Sequence, residues 1–373
     1  MSTDVLVVGG GLHGLSAALH AARRGASVRL VERHFLGRHA SGATAAGVRT
    51  LGRNIAELPL SLEAGQMWHR MEEIVGDDCG FVACGQLRVA EDEEALATMA
   101  ERVKRLAELG YSHERIIGPD EVRTLVPGIS GHCVGATWVA EDGSADPHRT
   151  TRAFRDAAFG SGVQIVEECV VTELKRNTNH WRAETSKGPL EAGLVVNAAG
   201  AWADQVAALA GDPLQHAIRT SMMVVTERAT ARITPVVGSQ GRKLSLKQTA
   251  QGTLLIGGGS QGRLAADRQS ASVDVSALAA SLQSVVRLFP DLQGLRIVRT
   301  WAGMEAMTVD HLPVIGFSPQ VDGLIHVFGF SGHGFQLVPS VGRVVADLIC
   351  ERRSNQNLNA FHVRRLTAER TAA

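Results

Sequence analysis

Apolar and polar positions first settle into a pattern between Asp4 and Arg33. Residues 5–8 (V-L-V-V) form a short, β-branched apolar run of strand length. It breaks into Gly9, Gly10, Gly11 and then Gly14, after which Leu15, Ala18, Leu19 and Ala22 recur at helical spacing up to Gly25. A second apolar run, residues 26–31, closes in Glu32. The pattern predicts strand, tight turn, helix and strand. Downstream it predicts a helix over 57–75, a strand over 81–90 with Gly85 as a turn, and a helix over 91–110 whose charges form a solvated face. A short helix over 120–125, a strand over 137–139, a turn over 143–147, a helix over 148–159 and strands over 163–166 and 170–174 follow. The run 194–196 leads into N-A-A-G-A-W-A-D, with a helix opening at Trp202.

The pattern then changes. Apolar runs at 220–226 and 253–258 are separated by G-S-Q-G-R-K and G-G-G-S-Q-G-R, which predicts an antiparallel sheet joined by hairpins. A helix over 273–289 stopped by Pro290, strands over 295–301 and 324–328, and a final helix over 339–350 complete the chain. The tail from Arg352 is polar and predicts a surface segment or a partner contact. The organisation is α/β, with a cofactor domain at 1–78, 143–215 and 300–373 and a substrate-facing α+β domain at 79–142 and 216–299.

The glycines of the first turn have separate tasks. Gly9 permits the sharp turn, Gly11 lets a pyrophosphate approach the backbone, and Gly14 lets the helix pack against the strand. The helix start offers free N–H groups and its positive dipole end to phosphates. Glu32, some twenty residues on, is placed to accept hydrogen bonds from a ribose. A dinucleotide is the expected ligand. The loop at 34–49, rich in Gly, Ala, Ser and Thr, can lie along a polyol or planar cofactor, with Ser41 and Thr44 as the hydroxyl donors. Ala199 and Gly200 end a buried strand where open α/β sheets bind ligands.

Composition narrows the choice of partner. The 373 residues carry 38 basic and 38 acidic side chains, so no global field favours nucleic acid or an anionic membrane. No apolar run is long enough to span a bilayer, and a chain that opens directly on a strand predicts no signal peptide. The five cysteines are odd in number and scattered, as expected of reduced thiols in the cytoplasm. Cys79 and Cys84 lack the further ligands of an iron–sulfur run, because Leu87 stands where the third is required. The histidines do not cluster at metal-ligand spacing, so no metal is expected.

The N-terminal G-G-G-L-H-G with Glu32, the A-A-G-A-W segment, and the C-terminal W-A-G…D-x-L-P-V-I-G…G-F-S-G-H-G-F together resemble the D-amino-acid oxidase family of FAD-dependent amine oxidoreductases. The resemblance implies a glutathione-reductase-like Rossmann domain and a sheet roofing the flavin. By that resemblance non-covalent FAD would be held by Gly9, Gly11, Leu12, His13, Gly14, Glu32, Arg33, Ser41, Thr44, Ala46, Gly47, Val170, Ala199, Gly200, Trp202 and Gly303. At the other end of the chain Gly332, His333, Gly334, Phe335 and Gln336 would face the flavin and ribityl chain. FAD fits better than NAD, because a long cofactor folded back through the protein explains the second glycine-rich turn.

Three departures bear on the substrate. Simple amino-acid oxidases of the family carry an arginine where this chain has Glu305. Sarcosine oxidases carry a lysine where it has Gln336. They also link flavin to a cysteine before the position of Asp310, and no cysteine stands there. Arg49 is the remaining candidate for gripping a carboxylate. Glu305 points to a cationic substrate group or to a salt bridge with Arg299. Arg49, Glu305 and His333 are the candidate catalytic residues. This variant is most similar to the FAD-carrying subunits of hetero-oligomeric dehydrogenases that act on opines, D-hydroxyproline or proline, or make cyanide from glycine. The implied substrate is amino-acid-like and the implied partners are subunits with further redox centres, in the cytoplasm or at the inner membrane. A stand-alone oxidase making peroxide and a non-catalytic flavin-binding electron-transfer subunit are the alternatives.

Overall fold

From Val5 to Val8 every side chain of the first strand is buried, the signature of a strand covered on both faces. The computed structural model describes residues 2–230 and 232–366. It places that strand, Ser2–Val8, in a sheet of order Val314–Phe317, Leu324–Phe328, Leu190–Asn197, Ser2–Val8, Val28–Val31 and Gln164–Val166. The strands from Leu324–Phe328 to Gln164–Val166 are parallel, and Val314–Phe317 closes one edge as an antiparallel hairpin. Val8 pairs with both Val31 and Asn197, and Asn197 pairs with His326. The carboxyl ends of four adjacent strands therefore open together, which is where such sheets bind ligands.

Two helices pack against each other on one face, Leu12–Arg23 and Gly334–Glu351. Leu15, Leu19, Val341 and Val345 meet there, joined by Phe154 of the Pro147–Gly160 helix. The approach is close because Gly342 has no side chain. A Cβ at that position would lie 2.0 Å from Ser16 Oγ and 2.7 Å from the Ser16 carbonyl carbon. Ser16 Oγ donates to Val338 O at 2.9 Å. The two helix starts also lie together, since the His13 ring stacks on Phe330 at 3.6 Å.

The second sheet runs Ile297–Met307, Ala217–Arg228, Thr253–Gly257, Ser245–Gln248, Val236–Ser239, Gln86–Ala90, Gly135–Val139 and Arg115–Ile117. All its pairings are antiparallel except Val236–Ser239 with Gln86–Ala90. Leu87, Val89, Leu246 and Ile256 join Leu278, Val285 and Leu288 of the Val275–Leu288 helix in one core. Side chains alternate along a strand, so Gln86 and Arg88 project from the opposite face.

Several elements depart from the sequence expectations. Residues 57–75 hold two helices, Leu58–Trp68 and Met71–Val75. The Trp68 indole donates to Gln336 O at 2.7 Å, and the bend after it lets Met71 and Val75 reach the same core. The final helix starts at Gly334 rather than Pro339, which lies inside it; near a helix start the missing proline N–H forgoes only one bond. Strands Arg115–Ile117, Trp181–Thr185, Val236–Ser239 and Ser245–Gln248 were not expected. The strand expected at 295–301 is Ile297–Met307, so it straddles the 299/300 boundary and belongs to the second sheet. The expected turn at 143–147 begins with Gly143–Ser144, paired to Gly47–Val48. The tail docks on the protein: Phe361 and Val363 are buried and Arg365 pairs with Asp310. Residues 367–373 of that tail lie outside the described residues.

Candidate functional site

A cavity of about 680 Å³ is lined from both sheets. Its floor at one end is the first glycine turn. Gly9 has φ +116°, and a Cβ there would lie 2.4 Å from Ala198 O. Leu12 N donates to Ser41 Oγ at 2.9 Å, so this hydroxyl ties the 34–49 loop to the helix start. The first turn of the helix holds no acidic residue, which leaves its N–H groups and dipole open to an anion. Gly14 lies behind the wall, where a Cβ would meet Gly9 O at 2.0 Å.

Glu32 stands beside this turn. Its carboxylate accepts from Gly10 N at 2.7 Å and from His34 N at 2.9 Å, so backbone amides hold it in place. Arg33 Cζ lies over the Trp202 ring, 3.9 Å from its centroid, and His39 meets the same ring edge-on at 4.4 Å. Val170, Ala199 and Gly200 complete this end. Behind them Asn197 Nδ2 donates to Ala203 O at 2.8 Å and lies 3.3 Å from His326 Nδ1. His326 Nε2 lies 2.9 Å from Asp212. That arrangement assigns the His326 proton to Nε2 and braces the N-A-A-G turn.

At the other end the strand carrying Gly303 and Glu305 meets the second glycine turn. A Cβ on Gly303 would lie 2.7 Å from Ala43 Cβ, and one on Gly332 would lie 3.8 Å from Glu305 Oε2. Glu305 accepts from Ser221 Oγ at 2.8 Å and lies 4.0 Å from Arg219. The expected bridge to Arg299 is not made; that guanidinium lies over Trp301. Phe335 lines the cavity and stacks on Trp68 at 5.2 Å.

A basic cluster fills the region beside Gly52. Arg49 Nη1 donates to Leu51 O at 2.8 Å, and Arg53 Nε donates to Arg49 O at 2.8 Å. Burial, with Arg53 and Arg88 adding repulsion, pushes Arg49 down to about 9. His333 Nδ1 lies 3.5 Å from Glu57, itself wholly buried. Burial and the nearby Arg53 push His333 down to about 4, so its ring is neutral at physiological pH. Burial alone drives His13 to about 3.

The structure thus gathers Gly9, Gly11, Leu12, His13, Glu32, Arg33, Ser41, Thr44, Gly47, Arg49, Val170, Ala199, Gly200, Trp202, Gly303, Glu305, Gly332, His333, Gly334 and Phe335 around one cavity. It sets three others behind the wall. Gly14 packs helix on strand, Ala46 is buried at φ +53°, and Gln336 is buried with its amide on Ser61 O at 2.7 Å. The sequence analysis missed Gln86, Arg88, Arg219 and Ser221, which come from the second sheet, and the buried Arg53 and Glu57. Only the alternation of Gln86 and Arg88 with Leu87 and Val89 was available as a signal.

These residues fit FAD. The ring nitrogens of His13, His39 Nε2 and Arg33 Nη2 are buried with no hydrogen-bond partner among the described residues. Such atoms are costly unless a ligand or water meets them. They line a cavity that runs from one glycine turn to the other, as a folded-back dinucleotide requires.

Comparison with known proteins agrees. The sequence profile of the family described as "FAD dependent oxidoreductase" (DAO) matches residues 4–348, and the chain belongs to that family. It is 26% identical to glycine oxidase of Geobacillus kaustophilus over 97% of each chain. It is 27% identical to mitochondrial sarcosine dehydrogenase of Mus musculus, covering 98% of this chain and 41% of that one. The chain thus spans under half the length of the sarcosine dehydrogenases it matches. Among solved structures it is similar to L-proline dehydrogenase from P. horikoshii, with a TM-score of 0.91 and 28% identity over 99% of this chain and 98% of that one.

Proposed function

We propose that this protein oxidises the C–N bond of an amino acid or N-substituted amino acid, as the catalytic chain of a dehydrogenase. The observation that carries the reading is the union of the two glycine turns, near Gly9 and near Gly332, in one cavity that also holds half-buried arginines. FAD, when bound, supplies the hydride acceptor and carries the hard chemistry. Gly9 and Gly11 hold the pyrophosphate, Glu32 and Arg33 the adenosine half, and the turn from Gly332 to Phe335 the flavin half. The relatives named glycine oxidase, sarcosine dehydrogenase and L-proline dehydrogenase support an amino-acid substrate, with the opine and hydroxyproline classes as further candidates.

The chain's own residues have little acid–base work to do. Arg49 orients the substrate carboxylate so that the α-carbon sits at attacking distance, the largest contribution available to such a site. The neutral His333 ring donates or accepts a hydrogen bond without adding charge to a region already basic. Gly332 leaves space beside Glu305, whose free Oε2 can take a hydrogen bond from the substrate's far end. The domain at 79–142 and 216–299 closes the cavity from above.

Anaerobic bleaching of the flavin by glycine, sarcosine, D-amino acids, prolines and opines tests the reading. If no amine bleaches it, the non-catalytic alternative takes over. Peroxide released by the single chain in air would favour a stand-alone oxidase over a subunit that passes electrons to partners. Arg49→Ala should raise KM or slow flavin reduction at least tenfold, and unchanged reduction would remove Arg49 from the site.

A further inference from the structure

We propose that Arg88, on the second sheet, forms the other half of a two-arginine carboxylate grip with Arg49, and that Gln86 beside it accepts the substrate's N–H. The proposal rests on the reading of the cavity as an amino-acid site and goes beyond it by naming where each pole of the substrate binds.

The geometry comes from Gly52. A Cβ at this position would lie 3.2 Å from Arg88 Nη1 and 3.5 Å from Arg49 Nη1. Two guanidinium groups from different domains therefore converge on one backbone point, and both line the cavity. The cations around them are engaged. Arg102 holds Glu114 through Nη2 at 2.8 Å, and Arg242 holds Glu91. Arg219 lies against Glu305, and Arg53 spends Nε on Arg49 O. Arg49 and Arg88 form no ion pair among the described residues.

The acids facing the pair are spoken for. Asp142 accepts from Thr50 N and Leu51 N, at 2.8 and 2.9 Å. Glu114 accepts from Gly52 N at 2.8 Å as well as from Arg102. Glu57 faces His333. Four arginines (Arg49, Arg53, Arg88, Arg102) thus stand against three carboxylates (Asp142, Glu114, Glu57). One anion is wanting, and one substrate carboxylate supplies it. A guanidinium presents a planar fork that matches this group, and two forks can share its two oxygens.

Gln86 provides an independent sign of a ligand. Its side chain is buried, 7% exposed, and lines the same cavity, yet Oε1 has no hydrogen-bond partner among the described residues. Gln86 and Arg88 are two apart on one strand and so share a face. An acceptor next to a cation is the pairing an α-amino acid needs, with the amine and the carboxylate on the same α-carbon. The sheet therefore supplies the grip that Glu305 and Gln336 cannot.

The test is binding of furan-2-carboxylate, an unoxidisable ring acid, and of its neutral amide, to the FAD-loaded protein. Calorimetry and the flavin absorbance shift read affinity without turnover. Arg88→Gln should weaken the acid at least thirtyfold and leave the amide within twofold; Arg88→Lys, which keeps charge but loses the fork, should fall between. Gln86→Leu should raise KM for an amine substrate while leaving affinity for the acid unchanged. Equal weakening of acid and amide by Arg88→Gln, or no weakening of the acid by either Arg88 variant, would overturn the proposal. If the wild-type protein binds the acid through Arg88 but no amine bleaches its flavin, the grip stands and the catalytic reading falls.

Discussion

Gly342→Ala tests whether the two cofactor-facing helix starts are held by the one close crossing behind them. The new Cβ would lie 2.0 Å from Ser16 Oγ and 2.7 Å from the Ser16 carbonyl carbon. Rotating the hydroxyl relieves the first contact and breaks its 2.9 Å bond to Val338 O, a loss of about 1 kcal/mol. Nothing relieves the second, or the 2.6 Å contact with Ser16 Cβ, except moving a helix, by roughly 0.8 Å if ordinary contact begins at 3.4 Å. Overpacking of this kind costs about 1–3 kcal/mol. Alanine's better helix propensity returns at most about 1 kcal/mol, so the net effect is destabilising. The Leu12 and Gly334 ends should separate with the helices. Because 1.4 kcal/mol is a factor of ten, FAD affinity should fall about tenfold or more. Flavin fluorescence titration of the apoprotein measures this, alongside its melting temperature. Affinity within twofold of wild type, with a lowered melting temperature, would show that the crossing does not set the geometry of the helix starts. Ser16→Ala combined with Gly342→Ala should recover only part of the loss, since the backbone contact remains.

Two further outcomes follow from buried charge. Histidines 13, 20, 39 and 333 are pushed to about 3, 4, 4 and 4, chiefly by burial, whereas the unfolded chain protonates them near 6.5. The unfolded state therefore binds more protons as pH falls below 6.5. Stability is greatest above that value and declines toward pH 4, by about 2 kcal/mol per histidine at pH 5; urea unfolding of the apoprotein at pH 7 and pH 5 should show the drop, and equal midpoints would contradict it. Arg53→Met leaves Glu57, whose carboxylate oxygens have no hydrogen bond among the described residues, facing the neutral His333 with Arg49 still acting on it through space. A stranded buried charge costs about 3–5 kcal/mol, so the melting temperature should fall sharply and Arg53→Met with Glu57→Gln should recover much of it.

The cofactor half of the site was legible because its requirements are backbone requirements. Gly9 and Gly14 must be glycine for reasons of space, Gly11 keeps the backbone open to a phosphate, and their spacing after an apolar run is local information. The turn at Gly332 was read in the same way. The substrate half was not legible, because Arg219 and Ser221 become neighbours of Glu305, and Arg88 reaches the same cavity, only through pairing of distant strands. Ala217–Arg228 pairs with Ile297–Met307, and Gln86–Ala90 joins the same sheet from far upstream. The partner of Glu305 was placed at Arg299, a strand neighbour, whereas the sheet register sets Arg219 directly opposite. The start of the last helix was misplaced for a similar reason: Pro339 has a boundary residue's chemistry, and only tertiary packing keeps the preceding turn helical.

The strand order has a consequence for biosynthesis. Leu190–Asn197 lies between Ser2–Val8 and Leu324–Phe328, so the first strand meets Val28–Val31 early but leaves the ribosome long before its other neighbour exists. The early nucleotide turn waits, its strand unpaired on one side, until Leu190–Asn197 arrives, and the second glycine turn follows only after Leu324–Phe328 has joined that strand. Cofactor capture is thus a closing event of maturation, and flavin supplied in excess during synthesis should not rescue chains cut short before residue 324.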